Sequence, residues 1–322
     1  MAGRERARWF DVRVERTEPV TSEVRRIVLD PGGPVAVPPG GHIEVAVQVD
    51  GRPQTRCYSL VDDGRDAGRL VVGVRLAPDG RGGSRYMHGL RPGDTLKVCG
   101  PRDGFGLLPG RERYLLLAGG IGITPLIGMA RVLRDSGADY RIVHAGRSRD
   151  AMPFLDGLRA DHPGRVECAV SGEGTRLDLA GLVRDAPEGT EVYVCGPMRM
   201  VEELRRHWQQ AGRPASALRL ETFGSSGTHP ATEFTVEIPR LGIHATVPRN
   251  ESMLDALRAA GADMMFDCLR GECGLCEVRV LSTTAPIDHR DVFLSDRQKA
   301  AEHTLCTCVS RAVGGHLSID VP

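Results

Sequence analysis

Residues 267–276 read DCLRGECGLC and place Cys268, Cys273 and Cys276 at the spacing C-x4-C-x2-C. Five of the nine cysteines in this 322-residue chain fall between Cys268 and Cys308. Three thiolates in one short loop, with a distant fourth, form the plant-type arrangement for a [2Fe–2S] cluster. Cys306 and Cys308, in LCTCVSRA, both qualify as the fourth by position. Gly271 and Gly274 let the loop backbone turn its N–H groups toward the sulfurs, and such hydrogen bonds help set a cluster's potential. A structural zinc site is the rival reading, but zinc sites favour paired CxxC or Cys/His knuckles, which this spacing fits poorly. Cys57, Cys99 and Cys168 read as small apolar residues of a core or pocket.

Around the loop, FTVEI (234–238), HATV (244–247), CEVRVL (276–281) and LSIDV (317–321) read as strands. SMLDALRAAG (252–261) reads as a helix capped by Asn250 and stopped by Gly261. GSSGTHPA (224–231) is a flexible linker by composition. The expected division is therefore 1–109, 110–224, a linker at 225–232, and 233–322.

In the middle block, the apolar run Tyr114–Ala118 is a strand buried on both faces. GGIGITP follows it and a helix-like stretch comes next. Gly119, Gly120 and Gly122 permit close backbone approach there, and the following helix offers N–H donors to a pyrophosphate. Pro125 stands where the third glycine of the common dinucleotide fingerprint would be. A later strand ends in YVCGPMRM (193–200), bringing Cys195, Gly196, Pro197 and Met198 to the same sheet edge. Ligands of open parallel sheets bind beyond the strands' C-terminal ends, so the two turns converge on one crevice. Ordinary left-handed turn chemistry would also use these glycines.

The first block holds short β-rich runs punctuated by turns such as PGGPVAVPPGG, the pattern of an antiparallel barrel. RCYSL puts Arg56, Cys57, Tyr58 and Ser59 on a strand of period two. Arg56 suits a phosphate and Tyr58 an aromatic ring system. GRGGSRY (80–86) reads as a backbone-rich phosphate turn. Chemical logic joins the blocks: nicotinamide gives up two electrons together and a [2Fe–2S] cluster accepts one, so a flavin belongs between them.

Lys+Arg and Asp+Glu both number 42, which argues against a dominant nucleic-acid partner. No apolar run reaches the roughly 18–20 residues that span a bilayer. The start, MAGRERARWF, lacks a secretory apolar stretch. A soluble cytoplasmic protein is expected, with no membrane contact and acting as a monomer.

With these motifs in order, the chain resembles the phthalate dioxygenase reductase family, which includes vanillate O-demethylase reductases. The resemblance implies a multidomain fold: an antiparallel β-barrel binding FMN rather than FAD, a ferredoxin reductase-like α/β parallel-sheet domain binding NADH rather than NADPH, and a C-terminal α+β β-grasp ferredoxin. It implies flavin contacts at Arg56, Cys57, Tyr58 and Ser59, at Gly73, Val74 and Arg75, and at Gly82, Gly83 and Ser84. It places Thr124 and Cys195 near the reactive ring. Glu221-Thr222-Phe223-Gly224 closes the nicotinamide domain with Phe223 near the flavin. HRDVFLSD (289–296) and CVSRA (308–312) match the stretches before and at the last ligand, which selects Cys308. The implied partner is a terminal oxygenase of the Rieske type acting on an aromatic compound, reduced from a cluster near roughly −400 mV. A haem monooxygenase is the alternative acceptor, and a redox-sensing or zinc-bound interaction protein without turnover is the alternative class. Arg147 and Arg149, in GRSRD, are positioned either to meet a 2′-phosphate or to face solvent. His144 and His162 read as structural.

Overall fold

A computed structural model of the chain describes residues 9–78, 80–223 and 227–321. Residues 1–8 and Gly224, Ser225 and Ser226 of the linker lie outside the described residues. The described residues form two compact units, one of 9–78 with 82–221, the other of 80–81 with 222–223 and 227–321.

The first unit begins with β1 (Trp9–Pro19), β2 (Val24–Asp30), β3 (His42–Val49), β4 (Arg52–Ser59), β5 (Leu70–Arg75) and β6 (Thr95–Arg102). They pair antiparallel in the order β4-β3-β6-β1-β2-β5. An isolated bridge, Leu60 to Val72, with the Val61 N–H donating to the Val71 carbonyl (2.8 Å), joins the two edges and curls the sheet on itself. Alternation drives this. Val12 and Val14 point into the core while Asp11 and Arg13 face water. The stretch read as a phosphate turn is partly helical: Gly82 takes a left-handed φ of 81° and α1 (Gly83–Gly89) follows, anchored by fully buried Met87.

The rest of this unit runs β7 (Arg113–Gly119), α2 (Thr124–Asp135), β8 (Asp139–Gly146), α3 (Leu155–Asp161), β9 (Val166–Val170), α4 (Leu179–Asp185), β10 (Thr190–Cys195), α5 (Met198–Gln210) and β11 (Leu218–Glu221). The strands are all parallel, in the order β11-β10-β7-β8-β9. Central β7 and β10 are buried on both faces, which explains their unbroken apolar runs. Leu108, between barrel and sheet, is pinned on both polar groups. Its N–H donates to the Tyr193 hydroxyl (2.7 Å) and its carbonyl accepts from Tyr114 (2.9 Å).

The second unit holds β12 (Phe234–Ile238), β13 (Ile243–Val247), α6 (Met253–Ala259), β14 (Glu277–Thr283), β15 (Ile287–Asp288), α7 (Asp296–Ala301), β16 (Thr304–Cys306), β17 (Arg311–Ala312) and β18 (His316–Asp320). Its main sheet is ordered β13-β12-β18-β14-β16, with β12 and β18 parallel and the other neighbours antiparallel. Helix α6 buries Met253, Leu254 and Leu257 in the core over this sheet. The described end of the linker, from residue 227, is tied to the unit. Thr228 donates through N–H and hydroxyl to Asp288 (both 2.9 Å), and Arg311 donates to the Thr232 carbonyl (3.0 Å). Among the described residues no helix is long and apolar enough to cross a membrane.

One detail corrects the sequence reading. Ser252, not Asn250, caps α6: its backbone is extended and its hydroxyl accepts from the Asp255 N–H at 3.1 Å. The capping position directly precedes the first helical residue, and Asn250 stands two residues too early. Gly261 ends the segment as expected, in a left-handed conformation with φ 93°. Ser252→Ala should therefore cost about 1 kcal/mol of stability in urea unfolding. Asn250→Ala should cost less, and the reverse order would refute the assignment.

Candidate functional site

In the second unit the cysteine loop lies between α6 and β14, and strand β16 delivers the later pair beside it. Antiparallel pairing sets Cys306 opposite Glu277, next to Cys276. The Thr307 N–H and hydroxyl both donate to the Cys276 carbonyl at 3.1 Å, so the turn to Cys308 is locked against the loop. The Cys308 thiol hydrogen-bonds both Cys268 and Cys276, and Cys306 reaches Cys276. Cys273 lies beside Cys268. Cys276, Cys306 and Cys308 are buried, while Cys268 and Cys273 are partly exposed. Among the described residues no three His, Cys, Asp or Glu side chains gather as a site for one metal ion.

Backbone N–H groups of Arg270 (3.4 Å) and Glu272 (3.3 Å) point at the Cys268 sulfur. The hydrogen bond from Cys308, with these N–H groups adding, holds the Cys268 thiol well below its ordinary range. Bonds from Cys306 and Cys308 do the same for Cys276, and the two donor thiols are pushed up in return. This donor set fits an anionic iron–sulfur group: soft sulfurs in one corner, with backbone dipoles aimed at them.

In the first unit, β4 carries Arg56, Cys57, Tyr58 and Ser59 and the adjoining β5 carries Gly73, Val74 and Arg75. Arg56 lies across the start of α1. A Cβ at Gly83 would sit 2.7 Å from its Cγ and 2.9 Å from its Nε. The Ser84 hydroxyl accepts from the Ala77 N–H at 3.0 Å, closing the turn through Gly82. Gly73 faces the parallel sheet, and a Cβ there would meet the Thr124 methyl at 2.9 Å and the Phe154 ring at 3.0 Å. Glycine at 73 lets Thr124 and Phe154 close on β5, and half-buried Tyr58 on β4 supplies a flat aromatic face that suits a ring system.

The two glycine turns of the parallel sheet do meet. A Cβ on Gly122 would fall 2.1 Å from the Cys195 carbonyl oxygen, and one on Gly119 2.5 Å from Pro197 Cδ. Packing alone thus accounts for glycine at 119 and 122. Gly120 is left-handed (φ 55°), and its carbonyl accepts from His144 Nε2 at 3.1 Å. Thr124 donates its hydroxyl to the Ile121 carbonyl (3.0 Å) and opens α2, with buried Pro125 next. Gly196 and Pro197 lead into α5, whose first residue is Met198. Thr124 and Cys195 are both buried. Phe223 is half-buried and groups with the second unit, where its neighbour Thr222 donates from N–H to Glu272 at 2.9 Å.

The comparisons with known proteins follow the same layout. Residues 11–106 match the family model described as an oxidoreductase FAD-binding domain, and 236–313 the 2Fe–2S iron–sulfur cluster binding domain. The carnitine monooxygenase reductase subunit of Escherichia coli (strain K12) is 34% identical over 97% of this chain and 98% of its own length. The phthalate dioxygenase reductase of Burkholderia cepacia is 33% identical over 91% of both. A solved phthalate dioxygenase reductase superposes with a TM-score of 0.79 at 29% identity, covering 97% of this chain and 98% of that one. The chain belongs to the phthalate dioxygenase reductase family. It is a flavin and 2Fe–2S oxidoreductase, and its antiparallel, parallel and cluster-binding sheets are those of the family fold. It also matches full-length CYP116B46 from Tepidiphilus thermophilus, with 35% identity, a TM-score of 0.68 and coverage of 97% of this chain. The reductase spans about two fifths of that structure, 42% of its length.

Two residues of this reductase were given no role by residue type or spacing. Glu221, at the end of β11, is fully buried and accepts from Ser59 Oγ (3.4 Å) and Cys195 Sγ (3.6 Å). One carboxylate thereby links the ends of β4, β10 and β11. It stood in a recognised motif, yet nothing local marked it as the meeting point. Phe154 is the other. Its φ of 63° is rare for a bulky side chain and seats the ring against Gly73. No local sequence signal forecasts such a backbone. A cleft of about 230 Å³ beside Arg26, Arg131, Phe154 and Asp161 contains none of the expected flavin or nicotinamide residues. His162 accepts from or donates to the Tyr140 hydroxyl at 2.7 Å, in keeping with a structural part.

His144 is fully buried, and burial pushes its imidazole down from 6.5 to about 4. Between those values the unfolded chain binds a proton that the native chain refuses, so this contribution to stability is present above pH 6.5 and lost as pH falls toward 4. Urea unfolding from pH 7 to 4.5 should show a shallower acid loss for His144→Gln than for the parent. Parallel curves would contradict the neutral, buried imidazole.

Proposed function

We propose that this reductase draws electrons from NADH through FMN to a [2Fe–2S] cluster on Cys268, Cys273, Cys276 and Cys308, and delivers them to a terminal oxygenase. The functional modules are 1–109 for flavin, 110–224 for nicotinamide and 233–322 for the cluster, joined at 225–232, in a cytoplasmic monomer. The observation that carries this reading is the gathering of the cysteine-loop thiols with Cys308 under backbone N–H groups aimed at sulfur. When bound, flavin and cluster supply the conversion of a two-electron donor into single electrons, which no side chain performs.

The chain's own residues do the rest. Arg56, which donates to the Thr55 carbonyl and to Gln54, and the Gly82–Ser84 turn are the groups assigned to a single phosphate, which favours FMN. Gly73 lets Thr124 and Phe154 close against the flavin strands, and Thr124 and Cys195 border the place where nicotinamide would stack. Glu221 holds Ser59 and Cys195 in register from below. Gly119, Gly120, Gly122, Pro125, Gly196, Pro197 and Met198 shape the crevice for the dinucleotide. Val74, Arg75 and Cys57 complete the flavin strands, and Phe223 is assigned to the flavin's edge. Cys308 is favoured over Cys306 because it reaches two of the loop thiols and Cys306 reaches one.

An oxygenase of the Rieske type acting on an aromatic compound is the preferred acceptor, supported by the phthalate dioxygenase reductases. The likeness to a solved type IV self-sufficient cytochrome P450 monooxygenase favours a haem monooxygenase as the second reading. Electron uptake by purified oxygenases of each kind separates them. The purified protein should contain flavin released as FMN, with roughly two irons and two sulfides per chain. Cys308→Ser should abolish the cluster's absorbance and Cys306→Ser should retain it. The opposite result would reassign the ligand, and stoichiometric zinc without sulfide would overturn the function.

NADH over NADPH is supported by Arg149, whose guanidinium is bound to both Glu173 oxygens (2.9 and 2.8 Å). That pairing occupies the donors a 2′-phosphate would need and adds a carboxylate nearby. Glu173→Gln should lower KM for NADPH by roughly two- to fivefold, the scale of one exposed ion pair, with little change for NADH. An unchanged ratio of the two would rule out this discrimination.

A further inference from the structure

The motif HRDVFLSD follows β15, and beyond its resemblance to the family's stretch before the last ligand its residues have no assigned role. In the structure it is a strap laid over the cysteine loop. The N–H groups of Val292 (3.0 Å) and Phe293 (3.2 Å) both donate to the Gly271 carbonyl. Asp291 is fully buried and accepts from the Ser310 hydroxyl (3.0 Å), two residues beyond Cys308, and from the Leu294 N–H (2.8 Å). Lys299 Nζ donates to the Asp291 carbonyl (2.6 Å) and fastens the far end. The strap therefore grips both parts of the cluster site, the loop of three cysteines and the segment bearing the fourth.

Both loop glycines lie under it. Gly271 has φ 77°, and a Cβ there would fall 2.8 Å from Asp291 Cα and 2.6 Å from Val309 Cγ2. Gly274, between Cys273 and Leu275, has φ 75°, and a Cβ there would fall 2.2 to 2.5 Å from three atoms of the Phe293 ring. Phe293 itself is 43% exposed. One side of the Phe293 ring thus covers the Gly274 turn, and the other faces water.

We propose that Phe293 is a positioning residue for the cluster: its ring, held by the strap, roofs the Gly274 turn and keeps water off the sulfurs. This rests on the cluster reading above. Taking up an electron adds negative charge to the site, and water stabilises that charge more than a phenyl ring does. Solvent exposure is one of the quantities that set such potentials. The cover thus holds the potential down and slows oxidative loss of the cluster.

The test uses the full-length protein carrying its flavin and cluster. Phe293→Ala should keep the parent's iron and sulfide content, shift the cluster's midpoint potential upward and bleach its visible absorbance several-fold faster in air. Phe293→Leu, which retains an apolar cover, should restore most of both. Flavin reduction by NADH should be unchanged in each variant. Parent-like potential and air stability in Phe293→Ala would overturn the proposal. So would a variant slowed only in transfer to its acceptor, which would make the ring a docking contact instead. A parent protein without iron and sulfide would bring down the cluster reading itself, a failure distinguishable by analysis before any variant is made.

Discussion

Sulfurs that share a buried corner repel one another once deprotonated, and the second unit is organised around that constraint. Cys276 and Cys308 are each 3% exposed, so bulk water contributes little to their charge. The protein answers with backbone dipoles. The loop turns tightly enough for the N–H groups of Arg270 and Glu272 to face Cys268, and it turns through Gly271 and Gly274 in left-handed conformations. Glycine leaves the loop thinly covered, and the strap at 289–294 lies on those two positions. Turn, glycine and strap are consequences of one electrostatic demand.

The first unit meets a different demand, close approach of chain ends. Parallel strands β7 and β10 stop side by side, and the turns that follow them occupy the same space. Gly122 stands where a methyl group would overlap the Cys195 carbonyl. Glycines that read as ligand-binding from sequence are thus also required by packing, and their presence alone does not measure affinity for a dinucleotide. The stronger indication of a shared site is Glu221, a buried carboxylate with donors from β4 and β10. A buried carboxylate without partners is costly, so these contacts tie the antiparallel sheet to the parallel one at the place where the expected flavin and nicotinamide residues converge.

Much of the architecture was legible before any coordinates. Period-two alternation in β1, apolar runs in β7 and β10, and the amphipathic pattern of α5 are local consequences of which faces are buried. The errors were local as well. Asn250 and Ser252 are both good capping residues, and only the first helical dihedral chooses between them. GRGGSRY read as a turn because α1 is short and takes its stability from buried Met87, a tertiary contact.

The candidate site divides the same way. Thiol chemistry and C-x4-C-x2-C spacing are properties of the chain, so the sequence by itself determined that Cys268, Cys273 and Cys276 share one short loop and that the order of domains is barrel, parallel sheet and ferredoxin. Which distant groups come to meet them is decided only when strands pair and cores close. The register of β16 against β14, the descent of Phe293 onto Gly274, the turn of Phe154 against Gly73 and the burial of Glu221 between strand ends all join residues far apart in the chain. Their reason is packing in three dimensions, which spacing along one dimension does not encode.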